Sequence, residues 1–238
     1  MSETILKKSN VLTRFRRFAR SNGLGLAILV SISRVASFHI WRRWFQLSIV
    51  HVYSAPLSAI RTASRLPSAY TIRPAEVDDF DELAEYCGNT DGVRERIDRG
   101  DICVLNLCAN KIGAMIWLRL GPNAFSEDWS TLNCHVRLPD RAAWMFDGKG
   151  TIMGAWSGLM MTLPKYLAER GIDEVYTMID FDNRKSIDPM LSLGLRQVGS
   201  YLFVKLLGLK FSRCRDIAEK RWQRLPMSLG RLEVTKEL

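Results

Sequence analysis

The stretch Trp144–Leu195, WMFDGKGTIMGAWSGLMMTLPKYLAERGIDEVYTMIDFDNRKSIDPMLSLGL, decides how the rest of the chain is read. It opens on a strand-like apolar run, Trp144-Met145-Phe146, followed by a turn punctuated by Gly148, Gly150 and Gly154. A helical pattern then runs from about Ala155 to Arg170 and stops at Gly171, a residue type suited to the left-handed position after a helix. Val175 to Ile179 is β-rich and of strand length. A polar turn from Asp180 to Lys185 and a leucine-bearing segment ending at Gly194-Leu195 complete the stretch. The first turn of a helix carries unpaired N–H groups and partial positive charge, and glycine permits close approach to an anion. Residues 149–156 therefore suit a pyrophosphate, with Lys149 adding a charge-assisted contact. The competing reading is that Gly148 and Gly150 form a bulge or tight turn that binds nothing.

Taken in order, these elements resemble the acyl-CoA-binding half of a GNAT (GCN5-related) N-acetyltransferase. In that family a strand ends in an Arg/Gln-x-x-Gly-x-Gly/Ala loop opening a long helix, and a second strand leads to an Asn-containing turn, a short helix and Leu-Gly-Phe. Asp182-Asn183-Arg184-Lys185-Ser186 and Leu193-Gly194-Leu195-Arg196-Gln197-Val198-Gly199 match the last part. With Gly154 on the central loop glycine, Thr151 stands where Arg or Gln is usual and Trp156 where Gly or Ala is usual. Met190 occupies the place of a tyrosine that often protonates the leaving thiolate. The resemblance implies an α/β (α+β) domain, a mixed and mostly antiparallel sheet flanked by helices. It also implies acetyl-CoA or a longer acyl-CoA as co-substrate, held where two central parallel strands splay apart, and an amine acceptor. Lys149, Gly150, Thr151, Gly154, Ala155 and Asn183 are the implied donor-binding residues. A backbone N–H between Met145 and Lys149 would polarise the carbonyl.

Acyl transfer to an amine also needs a group that removes the ammonium proton. Asp147, at the strand end, is the candidate, with Glu127 and Asp128 as alternatives; a turn or cap role beside Gly148 is the competing reading of Asp147. Trp144, Trp156 and Met160 read as core, or as the lining of an apolar acyl channel. Thr151, Trp156 and Met190 keep a second reading open, a degenerate fold that binds CoA or a partner without catalysis.

The charge is concentrated at one end. Of 34 Lys/Arg and 25 Asp/Glu, giving +9 overall, residues 1–66 hold eleven basic residues and one acid. The rest is close to neutral, with 23 basic and 24 acidic residues. Residues 1–66 therefore read as a basic, aromatic-rich, helical N-terminal extension. Val35, Phe38, Trp41, Phe45 and Ile49 fall at helical spacing beside Arg34, Arg42 and Arg43. Such a face suits either an anionic membrane surface or packing on the domain. Its large apolar residues argue against nucleic acid, and the apolar run Gly23–Ser33 is too short to span a bilayer. A membrane-surface adaptor is thus a third functional reading. Leu57–Ser68 reads as linker.

A hydrophobic fraction of 47% supplies a core for one domain, placed at residues 67–210, with 211–238 as a tail containing a helix near Asp216–Arg224. Five cysteines without a CxxC pair suit a reducing compartment and show no zinc motif, so no metal is expected and a cytoplasmic location is. Tyr70–Pro74 reads as a strand, and Asp78 or Asp79 caps a helix running through Cys87. Val93–Gly100 reads as a second short helix. Ile102–Ala109 and Ile112–Leu120 form a hairpin, Gly121–Asp128 a loop, and Thr131–Leu138 an added strand.

Overall fold

The computed structural model of the chain describes residues 19, 20, 24, 28, 45–62, 70–129, 132–206, 209–216, 223, 224 and 231–233. Twelve strands and four α-helices follow in the order β1 (Phe45–Pro56), β2 (Tyr70–Pro74), α1 (Phe80–Cys87), α2 (Thr90–Asp98), β3 (Ile102–Cys108), β4 (Lys111–Leu120), β5 (Asn123–Trp129), β6 (Leu132–Leu138), β7 (Ala142–Gly150), α3 (Ala155–Ala168), β8 (Glu174–Asp180), α4 (Arg184–Leu193), β9 (Arg196–Leu206), β10 (Leu209–Asp216), β11 (Gln223–Arg224) and β12 (Arg231–Glu233). Nine strands form one sheet in the order β11-β10-β9-β1-β8-β7-β4-β3-β2. All its pairs are antiparallel except β7 with β8. The mixed, mostly antiparallel sheet read from the sequence is therefore present.

Side chains alternate between two faces of this sheet. Ala114, Ile116 and Leu118 of β4, with Ala143 and Met145 of β7, pack against Leu159 and Leu163 of α3 and Ile187 and Met190 of α4. On the opposite face, α1 and α2 bring Leu83 and Val93 onto Leu105, Met115 and Trp117. Beside them β5 and β6 pair as a hairpin, and Val136 and Leu138 cover Val50, Val52, Trp144 and Phe203. Arg119 of β4 joins the two covers of this face. Its guanidinium is bidentate to the buried Asp101 at 2.5 and 2.6 Å and lies over the Phe125 ring at 4.1 Å.

Local signals act as the sequence suggests at several ends. The β3–β4 turn is Ala109-Asn110, both at positive φ (49° and 63°), a two-residue hairpin geometry one residue earlier than expected. Gly171 and Gly194 close α3 and α4 with φ of 74° and 108°. The Ile172 N–H donates to Leu167 O and the Leu195 N–H to Met190 O, the six-residue closure that favours glycine at this position. The expected capping of α1 by the Asp79 side chain is not found: Asp79 ends a short 3-10 turn, and its carboxylate instead accepts the Glu76 N–H at 2.7 Å and both Arg73 guanidinium nitrogens at 2.5 and 2.8 Å.

Four further expectations are corrected. The helical face over residues 35–53 is, from Phe45 on, strand β1, which sits inside the sheet between β8 and β9. Ile49, Val50, Val52 and Tyr53 are all buried, so β1 is covered on both faces; the alternation of Phe45-Gln46-Leu47-Ser48-Ile49 breaks at Val50, where apolar residues stand side by side. The remainder of that expected extension, residues 35–44, and nearly all of the basic arm lie outside the described residues. The linker reading fails for Leu57–Ile60. Leu57 and Ile60 are buried, and backbone bonds tie Leu57 to Asp173 and Arg61 to Leu193. Gly121–Asp128 is mostly strand β5, since its partner β6 supplies the ladder. Asp216 ends β10 and Gln223–Arg224 form β11 where a helix was expected, and residues 217–222 lie outside the description.

Candidate functional site

The two parallel central strands part company halfway along. β7 and β8 pair only from Ala142 with Glu174 to Met145 with Thr177. Beyond that point β8 continues alongside β1 and β7 alongside β4, leaving a cleft between them. The loops 151–154 and 181–183 leave the sheet from the same edge, on the two sides of this cleft.

At the cleft β7 bulges. Trp117 of β4 faces Phe146 and Met115 faces Lys149, so β7 uses one more residue than its partner. The extra residue is accommodated at Asp147, whose φ of 45° is a conformation that Asp tolerates better than most residues. The bulge turns Asp147 to the side of α2, where its carboxylate pairs with Arg96. Arg96 is itself stacked over Trp117 at 5.2 Å and Phe146 at 5.5 Å.

A cavity of about 340 Å³ lies here, lined among others by Asn89, Arg96, Met115, Asp147 and Lys149. Lys149 donates to the Tyr86 carbonyl and lies 4.7 Å from the centre of the Tyr86 ring. The thiol of Cys87, on the same wall, is pushed up by burial, which disfavours a thiolate nucleophile.

On the other side of β7, Trp156 covers the strand. A Cβ on Gly148 would lie 2.3 Å from Trp156 Cη2, and one on Gly150 would lie 2.9 Å from Trp156 Cβ. The two glycines thus make room for an indole. The loop beyond is tied to β4: the N–H groups of Thr151 and Ile152 donate to Gly113 O at 2.9 and 3.2 Å. Gly154, at φ 82°, starts α3, and Tyr70 donates to Met153 O at 3.2 Å. In the first turn of α3 the Ala155 N–H donates to Ile152 O at 3.1 Å, and the Gly158 N–H donates to Gly154 O at 2.9 Å.

Asp147 and Lys149 are therefore brought together, in the cavity with α2. Gly150, Thr151, Gly154 and Ala155 line up along the other wall of the bulge and the loop, with Ala155 fully buried. Asn183 stands across the cleft as the cap of α4, its side chain accepting the Ser186 N–H at 3.3 Å. Met190, Trp144 and Met160 are buried core. Glu127 and Asp128 lie on β5, their side chains outside the description. Among the described residues no group of three or more His, Cys, Asp or Glu could hold a metal ion, and no helix is long and apolar enough to cross a membrane. Arg96 and Tyr86 carry no motif. They meet β7 across separations of 51 and 63 residues, and only the fold joins them.

No family model and no curated protein matches the chain. Solved structures do. A conserved protein of unknown function from Staphylococcus epidermidis matches with a TM-score of 0.51 at 11% identity, over 75% of this chain and 66% of that one. A GCN5-related glucosamine N-acetyltransferase region in a fungal multi-domain β-N-acetylglucosaminidase matches with a TM-score of 0.50 at 13% identity. That match covers 72% of this chain and 22% of the fungal one. A GCN5-related N-acetyltransferase from Kribbella flavida matches at 0.45 and 12%, over 77% of this chain and 64% of that one. The chain thus spans less than two thirds of the length of each of these proteins. The likeness is one of fold: the chain's mixed sheet and flanking helices resemble those of the GCN5-related N-acetyltransferase region.

Proposed function

We propose that the chain is an acyl-CoA-dependent N-acyltransferase that moves an acetyl or other acyl group to an amine. The observation that carries this reading is the cleft. β7 leaves β8 after Met145, and a bulge at Asp147 stands at its mouth. Backbone N–H groups on the unpaired edge of β7 are suited to polarise a thioester carbonyl. The first turn of α3 offers N–H groups and positive dipole to a pyrophosphate. Gly150, Thr151, Gly154 and Ala155 shape that approach, the N–H groups of Thr151 and Ala155 being held by Gly113 O and Ile152 O, and Asn183 borders the cleft opposite.

In the reaction the acceptor nitrogen attacks the thioester carbonyl carbon. A C–N bond forms, the C–S bond breaks, and the thiolate leaves. Asp147, whose side chain is 58% exposed, takes the ammonium proton directly or through water. A proton returns to sulfur from solvent, since Met190 is buried and has none to give. Trp156 stands against the bulge and limits the room beside the reacting carbonyl.

The test is release of free thiol from acetyl-CoA by the full chain, screened over a panel of amines. Release that needs both substrates, and that falls about 100-fold or more in Asp147→Asn, supports the proposal. Absence of amine-dependent release across the panel, from folded protein, would count against it. The degenerate reading is favoured by one observation, the indole seated on Gly148 and Gly150, and predicts CoA binding without turnover.

A further inference from the structure

We infer that the cavity between α2 and the β7 bulge selects an amine that also carries an anionic group, a carboxylate or a phosphate, through Arg96 and Lys149. This inference rests on the acyl-transfer reading for the word acceptor, and on the cavity alone for its chemistry. The charged side chains lining the cavity are Arg96, Lys149 and Asp147, which leaves one net positive charge. A simple ammonium meets that excess as repulsion, and a molecule bearing both an ammonium and an anion meets it as attraction.

The cations are held in place and retain donors. Arg96 lies over the Trp117 and Phe146 rings, and its side chain is only 22% exposed, so water screens it weakly. One of its five N–H donors is used on Asp147. Lys149 is held over Tyr86 and uses one of its three donors on the Tyr86 carbonyl. The start of α2, where the Asn89 side chain caps Gly92 N–H at 3.0 Å, borders the same cavity and adds positive dipole. The anion supplies attraction and orientation, while Asp147 receives the amine end. A cavity of about 340 Å³ is the size for a small molecule of this kind.

The experiment is calorimetric titration of the full chain, without an acyl donor, with two matched pairs: ethanolamine against its phosphate ester, and β-alaninamide against β-alanine. The expected result is that at least one anion-bearing member binds about tenfold or more tightly than its partner without the anion, the size of one or two charge-assisted hydrogen bonds. Which pair shows the preference separates phosphate from carboxylate recognition. Arg96→Gln and Lys149→Gln each reduce the preference. Lys149 is exposed, so its variant keeps the test open where loss of Arg96 disturbs folding. Equal or tighter binding of the members without the anion, no heat from any of the four, or a preference unchanged in both variants would overturn the inference. A preserved binding preference with no thiol release from acetyl-CoA would instead remove the acyl-transfer reading and leave this one standing.

Discussion

Trp156 is the residue on which the proposed donor side turns. Its indole lies against the two glycines of the bulged strand, a contact that any larger residue at Gly148 would abolish. If the acyl group sits at the bulge, the indole is the wall that meets it. Trp156→Ala is expected to widen the donor range, raising thiol release from octanoyl-CoA relative to acetyl-CoA about tenfold or more. An unchanged donor profile in a folded variant would separate Trp156 from the acyl group. A second residue-scale expectation concerns acid stability. The Arg73 guanidinium hydrogen-bonded to Asp79 holds its carboxyl below the ordinary carboxylate range, helped by the Glu76 N–H and opposed by burial. A depressed native value means that the stabilisation is fully present above the unfolded carboxylate's pKa of about 3.9 and is lost as pH falls through the native value. Chemical denaturation at pH 7 and at about pH 3 should show wild type losing more stability than Asp79→Asn over that interval. Parallel losses would mean that the pair does not couple folding to pH.

At the scale of elements, β1 alters what the N-terminal part of the chain is for. It pairs with β8 from Val50–Pro56 and with β9 from Phe45–Ser54, and it separates those two strands. A chain beginning at residue 57 exposes an edge of β8 and of β9 and loses Val50 and Val52 from the core. It is expected to lose cooperative thermal unfolding, followed by far-UV circular dichroism, or to precipitate. A sharp transition within a few degrees of the full chain would show that β1 is dispensable. Much of the rest was readable. α3 and its closing glycine, β8, the Asn183 turn and the β3–β4 hairpin all carry local signals, in the form of glycine at left-handed positions, apolar periodicity or turn chemistry. β1 carries an ambiguous one: Phe45-Gln46-Leu47-Ser48-Ile49 alternates, but the pattern breaks at Val50, and Phe45 and Ile49 also fit a helical spacing with Phe38 and Trp41. β5 was missed for another reason: its identity rests on pairing with β6, not on its own residues. The site divides in the same way. Asp147 and Lys149 sit on the strand that the glycines announce, whereas Arg96 reaches them from a helix about fifty residues earlier, with nothing local to mark it.

For the whole molecule, the sheet holds two chemistries on two faces of one strand. Gly148 and Gly150 turn toward Trp156 and α3, while Asp147 and Lys149 turn toward α1 and α2. The cleft between β7 and β8 opens at that point. A donor entering by the cleft and an acceptor entering by the α2 cavity would meet at the bulge, which is the central claim made for this protein. The most direct measurement is calorimetric titration of the full chain with acetyl-CoA. The account predicts saturable binding at one site per chain. A folded sample that gives no binding heat at any temperature tried would contradict it.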